Sequence, residues 1–185
     1  MRRRLAYFFL AATSLFAVVF HLCHYTLAHA QTGEAPVHME SFFEFVVAQP
    51  YNRVAPLFGA NGERAWAGAE WDPQFAYPRP ADDRAGAVFT LEHSGHKMYW
   101  VTPVFDLKNR HIQHLIVIPD AFVAILDITF PETPPNRTKV HVAYQRTALS
   151  PALNQDVKAM SARDAHQSGE WQKAIDQYFA SRQKQ

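Results

Sequence analysis

Five short segments between residues 86 and 147 constrain this chain most: "GAVFTLEH", "KMYWVTPVF", "HIQHLIVI", "AFVAILDITF" and "TKVHVAYQRT". Each has the length of a strand, is rich in β-branched and aromatic residues, and ends in a turn signal. The connections are short. Ser94-Gly95 suits a two-residue hairpin, "DLKNR" a five-residue loop, Pro119-Asp120 a tight turn and "PETPPNR" a longer link. Such links join consecutive antiparallel strands.

The flanking sequence completes the layout. "VHMESFFEFVVA", 37–48, reads as a first strand, and "DPQFAYP" as another ahead of the series, which gives about seven strands. Between these two, Gln49-Pro50 opens a short helix that Pro56 and Gly59 keep from running long. A second short helix is expected over "GERAWAG", 62–68, with Asn61 as its cap. At the C-terminus Ser150 caps a helix with Pro151 in its first turn, and Leu153, Val157 and Met160 form an apolar stripe. Asp164 and Ser168 interrupt that stripe, Gly169 signals a break, and Trp171, Ile175 and Tyr178 resume it. Two helical pieces are therefore expected. A curved sheet of this extent needs its concave face covered, and only the C-terminal helix is long enough to cover it. The fold class is α+β, and a sandwich of this kind tends to leave a cavity.

The order of elements, the segment "PYNRVAPLFGANGERAWAGAEWDP" and the stretch "YQRTALSPALNQDV" together resemble the START-like, polyketide cyclase-like superfamily (SRPBCC), whose fold is the helix-grip. The resemblance runs from about Val37 to Phe179. It implies a deep apolar cavity between sheet and C-terminal helix that takes lipids, sterols, polyketides or other hydrophobic molecules. Members include both enzymes and carriers, and the family shares no universal catalytic motif, so the resemblance carries over no catalytic residue.

The first thirty residues stand apart. "MRRR", the apolar run from Leu5 to Cys23 and "TLAHA" are the three parts of an export signal, with cleavage after Ala30. The apolar run exceeds the usual length of such signals, so an uncleaved membrane anchor is the alternative. Residues 31–36 form a linker and 37–185 a START-like ligand-binding domain. Loss of the leader would remove Arg2, Arg3 and Arg4, leaving 15 of the 18 Lys and Arg against 17 Asp and Glu, a formal charge of −2. That balance, without a basic cluster, argues against a nucleic-acid partner. Cys23 is the only cysteine and leaves with the leader, so stability in a periplasmic or extracellular compartment must come from a core and not from disulfides. About 155 residues are enough for one domain that buries roughly two-thirds of its unfolded surface.

Alternation assigns faces. In 121–130 the polar Asp127 and Thr129 select the outward set, leaving Phe122, Ala124, Leu126, Ile128 and Phe130 inward. In 138–147 Lys139, His141 and Gln145 go outward, and Val140, Val142, Tyr144 and Arg146 inward. A cation at the end of an apolar face has two explanations. Arg146 fixes a ligand's polar head with Tyr144 supplying a hydroxyl, or it pairs with a structural carboxylate. Trp66 and Trp100 pack the core or wall the cavity. The candidate ligand-binding set is Trp66, Trp100, Phe122, Leu126, Tyr144 and Arg146.

The histidines raise a metal question, since His93 and His96 flank a turn and His111, His114 and His141 lie on strands. On a strand, residues three apart face opposite ways, so His111 and His114 do not share an ion, and no metal site is expected. There is no Gly-rich phosphate loop, HExxH helix or Ser-His-Asp order, and no cofactor is expected. The leading expectation is an exported module that binds a small hydrophobic or lipid-like molecule and touches membrane only through its N-terminal segment. The alternatives are a polyketide cyclase- or dehydratase-like enzyme, in which Tyr144 and Arg146 polarise a carbonyl while His114 moves a proton, and an envelope interaction protein whose cavity is filled by its own side chains.

Overall fold

The computed structural model describes residues 33–93 and 95–183, so the expected leader and its cleavage site lie outside the described residues. The elements in chain order are β1 (His38–Val47), α1 (Tyr51–Val54), a 3-10 turn (Ala55–Phe58), α2 (Ala60–Glu63), β2 (Gln74–Tyr77), β3 (Ala87–His93), β4 (His96–Asp106), β5 (His111–Ile118), β6 (Phe122–Thr129), β7 (Thr138–Ala148), a second 3-10 turn (Pro151–Leu153), α3 (Asn154–Asp164) and α4 (Ser168–Arg182). The strands form one seven-stranded sheet in the order β1-β7-β6-β5-β4-β3-β2. From β2 to β7 the sheet is a continuous antiparallel meander, and β1 closes the far side on β7. This is the helix-grip layout.

Register follows from the turns. His93 pairs with His96, the register of a two-residue hairpin, and Gly95 takes φ 80°. Ile118 pairs with Phe122 across a turn in which Asp120 takes φ 60°. The one irregularity in the central strands lies between Val101 and Val104 of β4, where Pro103 has no N–H to give the ladder.

The strand alternation expected for β6 and β7 is observed: Phe122, Ala124, Leu126, Ile128, Val140, Val142, Tyr144 and Arg146 are all buried. His111 and His114 point to opposite faces. His111 bonds Asp127 on the outer surface, and His114 is buried on the concave one. On that side α3 packs on β1 and β7, and α4 on β1.

Several helix boundaries depart from the expectation. The second short helix spans Ala60–Glu63, not 62–68, and Asn61 is inside it instead of capping it. Its N-terminus is capped from a distance, because the Asp83 carboxylate accepts the Asn61 N–H at 2.9 Å and the Gly62 N–H at 3.1 Å. Those two donors have no partner within the helix, and a carboxylate 22 residues away supplies one. At the C-terminus Ser150 makes no side-chain cap, Pro151–Leu153 is a 3-10 turn, and the α-helix starts at Asn154. Leu153 and Met160 are only half-buried, and the buried stripe of α3 is Asn154, Val157, Ser161 and Asp164. The helix breaks at residues 165–167, where His166 N–H bonds Arg163 O and Gln167 N–H bonds Asp164 O. Gly169 falls in the first turn of α4, where an N–H needs no helical partner. The α4 stripe is Trp171, Ile175 and Phe179, and Tyr178 lies beside it.

The residues read as a linker are partly described and are tied to α3. Asn154 accepts the Val37 N–H and donates to Ala35 O, and Glu34 lies 3.7 Å from Lys158. Among the described residues no helix is long and apolar enough to cross a membrane.

Candidate functional site

The concave face carries two clusters of buried side chains. At one end, Ile112, Ile128, Val140 and Val142 are fully buried under an aromatic layer. Phe58 lies at its centre, with its ring 5.5 Å from Phe130, 5.8 Å from Trp66 and 6.3 Å from Trp171. Trp171 in turn meets Phe43 edge-on at 5.2 Å and Trp66 at 5.2 Å. This layer is core packing, worth about 0.5 to 1.5 kcal/mol per well-placed ring pair beyond area burial.

A second cluster lies on β4 to β7. Met98, Trp100, Ile116, Ile118, Phe122 and Tyr144 keep between 5 and 9% exposure, although all point inward. They are neighbours: Trp100 pairs with Ile116, Ile118 with Phe122, and Tyr144 with Leu126 across the sheet. The result is a mostly apolar wall across β4 to β7, with His114 and Arg146 set into it.

Of the six candidate residues, the fold brings Trp100, Phe122, Leu126, Tyr144 and Arg146 onto this concave face. Trp66 is placed differently. It follows α2, packs on Phe58 and Trp171, and donates its indole N–H to Leu57 O at 2.7 Å.

Arg146 has a protein partner. Its Nη1 and Nη2 grip the two oxygens of Asp164, the second at 3.1 Å, and its guanidinium lies 3.9 Å from the Tyr144 ring centroid. The Ser41 hydroxyl also donates to Asp164, and Gln167 Nε2 stands 3.4 Å from it. Arg146 is 7% exposed and Asp164 1%. The fork geometry satisfies both charges, so β7, β1 and α3 are joined through one buried ion pair. Asp164 was legible as an interruption of an apolar stripe, yet it lies seven residues after Val157, the spacing that puts it on the same helix face.

His114 is also engaged. Its Nε2–H donates to Phe58 O at 3.2 Å, which leaves Nδ1 to accept from the Thr102 hydroxyl at 3.0 Å. Burial drops its pKa to about 4, against a weaker opposing effect of the Phe58 carbonyl. The ring pins the helical segment after β1 to β5. With both nitrogens occupied and the ring held neutral, it is poorly suited to move a proton.

Sequence reasoning missed Glu63. It closes α2, is 5% exposed, and its carboxyl makes no hydrogen bond to the described residues. Burial raises its pKa well above the usual carboxylate range, and the nearby Asp83 adds to the rise. The Tyr144 hydroxyl is raised too, mainly by burial, and has no hydrogen-bond partner among the described residues. Two buried indole N–H groups, of Trp100 and Trp171, are also unpartnered, whereas Trp71 donates to Ala60 O at 2.8 Å. Buried polar groups are nearly always paired, so an unpaired indole N–H on each of the two clusters is unusual. Among the described residues no three His, Cys, Asp or Glu side chains converge as a metal site would require.

No protein-family model matches the chain, and no curated protein matches its sequence. Solved structures do. Norcoclaurine synthase from Thalictrum flavum, solved in complex with dopamine and hydroxybenzaldehyde, superposes with a TM-score of 0.59 at 11% identity, covering 84% of this chain and 98% of that one. Ara h 8.0201 gives 0.55 at 16% identity over 78% of this chain and 99% of that one. SA2116 of Staphylococcus aureus, a protein of unknown function, gives 0.60 at 11% identity over 81% and 98%. At such identities the likeness is one of fold, and by fold this chain is a helix-grip protein.

Proposed function

We propose that this chain is an exported binding module that holds a small hydrophobic molecule against the concave wall of β4 to β7. The observation that carries the reading is the indole N–H of Trp100, which is buried on this apolar wall and has no hydrogen-bond partner among the described residues. Apolar concavities with a few unpaired polar groups are the usual form of small-molecule sites. The structural neighbour solved with dopamine and hydroxybenzaldehyde supports a fold able to receive small aromatic molecules. The basic leader and "AHA" at residues 28–30 support export.

On this reading Trp100, Phe122, Leu126 and Tyr144 form the wall, Trp66 stiffens the helical side, and Arg146 anchors α3 to the sheet. Binding is preferred to catalysis because the histidine on this face is held neutral by two hydrogen bonds and the arginine is neutralised by Asp164. The test is native mass spectrometry of the purified chain. A retained non-covalent adduct of lipid or metabolite mass, released by organic solvent, is expected. A chain that carries no adduct and takes up none from a mixture of apolar compounds would instead have a concave face filled only by its own side chains.

A further inference from the structure

Cations gather at one end of the sheet. There β1 finishes at Val47 opposite Thr138, β4 finishes at Asp106 opposite His111, and His111 lies opposite Thr129. The β4–β5 loop, the β6–β7 loop, α1 and the last turn of α4 carry Arg53, Lys108, Arg110, Arg137 and Arg182 against only Asp106 and Glu132. At the opposite end, residues 33–37, the β3–β4 hairpin, the β5–β6 turn and the first turn of α3 carry Glu34, Glu92, Asp120 and Asp156 against Lys97 and Lys158. The five cations come from four separate segments, so no run of letters in the sequence announces them.

Contacts join three of the arginines into one surface. Arg110 lies 4.3 Å from the Tyr51 ring centroid, and Arg53, two residues further along α1, lies 5.0 Å from that of Phe179. The Phe179 and Tyr178 rings are 5.1 Å apart, and Arg182 lies 5.1 Å from the Tyr178 centroid. The loops are pinned to the same place, because the Tyr51 hydroxyl donates to Leu107 O at 2.6 Å and the Thr138 hydroxyl to Gln49 O at 2.8 Å. Elsewhere the cations hold acids: Arg64 pairs with Asp72, Arg84 with Asp82, Lys139 with Glu44 and Arg146 with Asp164. Arg53, Arg110, Arg137 and Arg182 form no ion pair among the described residues. The Asp106 carboxylate is itself taken up by the Asn109 N–H and side-chain amide, at 2.9 and 2.6 Å. A ring beneath a guanidinium steadies the charge and leaves its in-plane N–H donors for a further anion.

We propose that this end of the domain docks on an anionic phospholipid surface. Arg53, Lys108, Arg137 and Arg182 are exposed, and they are spread across an end of the sheet on four segments instead of converging on one point. A single small anion needs converging donors. A bilayer does not, since its phosphates are dense and each headgroup moves to meet a cation where it stands. The opposed charge at the far end turns the domain so that the basic end arrives first. Docking of this kind goes beyond the binding reading and does not depend on it.

The test is sedimentation of the purified full chain with two vesicles, one of phosphatidylcholine alone and one with about a third phosphatidylglycerol. Tighter binding to the anionic vesicle is expected, weakening as added salt shortens the screening length. Arg53→Gln/Arg182→Gln should weaken it by about tenfold to thirtyfold, at about 1 kcal/mol for each charge near the surface. Lys108→Gln/Arg137→Gln, on two other segments, should weaken it to a similar degree. Lys97→Gln/Lys158→Gln removes the same charge from the far end and should stay within about twofold. All of these chains share residues 1–32, so any contribution of that segment to vesicle binding cancels between them. Equal binding to both vesicles, binding to neither, or a far-end variant as weak as the other two overturns the proposal. A ligand adduct seen by native mass spectrometry should survive in every variant, so failure here leaves the binding reading untouched.

Discussion

Replacing Arg146 with Met removes a charge while keeping most of an apolar stem of similar length. The consequence is set by what stays behind. Asp164, 1% exposed, loses the donors that grip both of its oxygens and keeps only the Ser41 hydroxyl and the distant Gln167 amide. Stranding one member of a buried pair costs about 3 to 5 kcal/mol. For a domain of this size that is a fall in melting temperature of roughly 6 to 20 °C, at about 2 to 4 °C per kcal/mol. The double variant Arg146→Met/Asp164→Leu removes both charges and should recover most of the loss, since an apolar pair of similar volume is often neutral or better in such a place. Urea unfolding of the wild type, both single variants and the double variant gives the coupling directly. A loss below about 1 kcal/mol for Arg146→Met, or a double variant no more stable than the single ones, would refute the assignment of Arg146 as the cation that ties α3 to the sheet.

Three further outcomes are expected. Because the folded pKa of His114 is about 4 against an ordinary 6.5, the unfolded chain takes up a proton before the folded one, and stability should fall by about 3 kcal/mol as pH drops from about 6.5 to about 4; urea midpoints across that range should be flatter for His114→Gln. Glu63 has the opposite sign: its raised folded pKa makes the folded state the better proton binder, so its contribution is lost as pH rises from the unfolded value towards the folded one, and Glu63→Gln should raise the melting temperature more at pH 8 than at pH 4. Gly62→Ala would improve helix propensity on an exposed helix, but here the added Cβ overlaps the Pro56 carbonyl and the Leu57 backbone, so circular-dichroism melts should show a loss of about 1 to 3 kcal/mol where propensity alone gives a gain of about 1.

The sheet was largely legible because a strand repeats every two residues, and a single polar insertion such as Asp127 or Lys139 fixes the facing of all its neighbours. The hairpins were legible because Ser94-Gly95 and Pro119-Asp120 carry their own conformational demands. The helices were less so. Asp83 caps α2 from a loop more than twenty residues later, and no local pattern announces a distant cap. Asp164 carried the right spacing but the wrong polarity for an apolar stripe, and its role depends on Arg146 standing opposite it on another element. Glu63 gave no signal at all, since an acid in a short solvent-side helix and an acid turned into a core have the same letters around them. Arg146 itself was legible as a buried cation in need of a partner, with the partner left unnamed between ligand and protein; the fold supplies a protein carboxylate.

The account's central claim is that a ligand lies on the β4 to β7 wall beside Trp100, and the four indole N–H groups of the chain report on it individually. In a proton–nitrogen correlation spectrum, Trp66 and Trp71 are already bonded to Leu57 O and Ala60 O, while Trp100 is free to accept a new partner. Addition of acetylnaphthalene should move the Trp100 indole resonance downfield as it gains a hydrogen bond, with those of Trp66 and Trp71 held nearly in place. Movement of Trp66 and Trp71 with Trp100 unchanged, or no indole shift under saturating ketone, would contradict it.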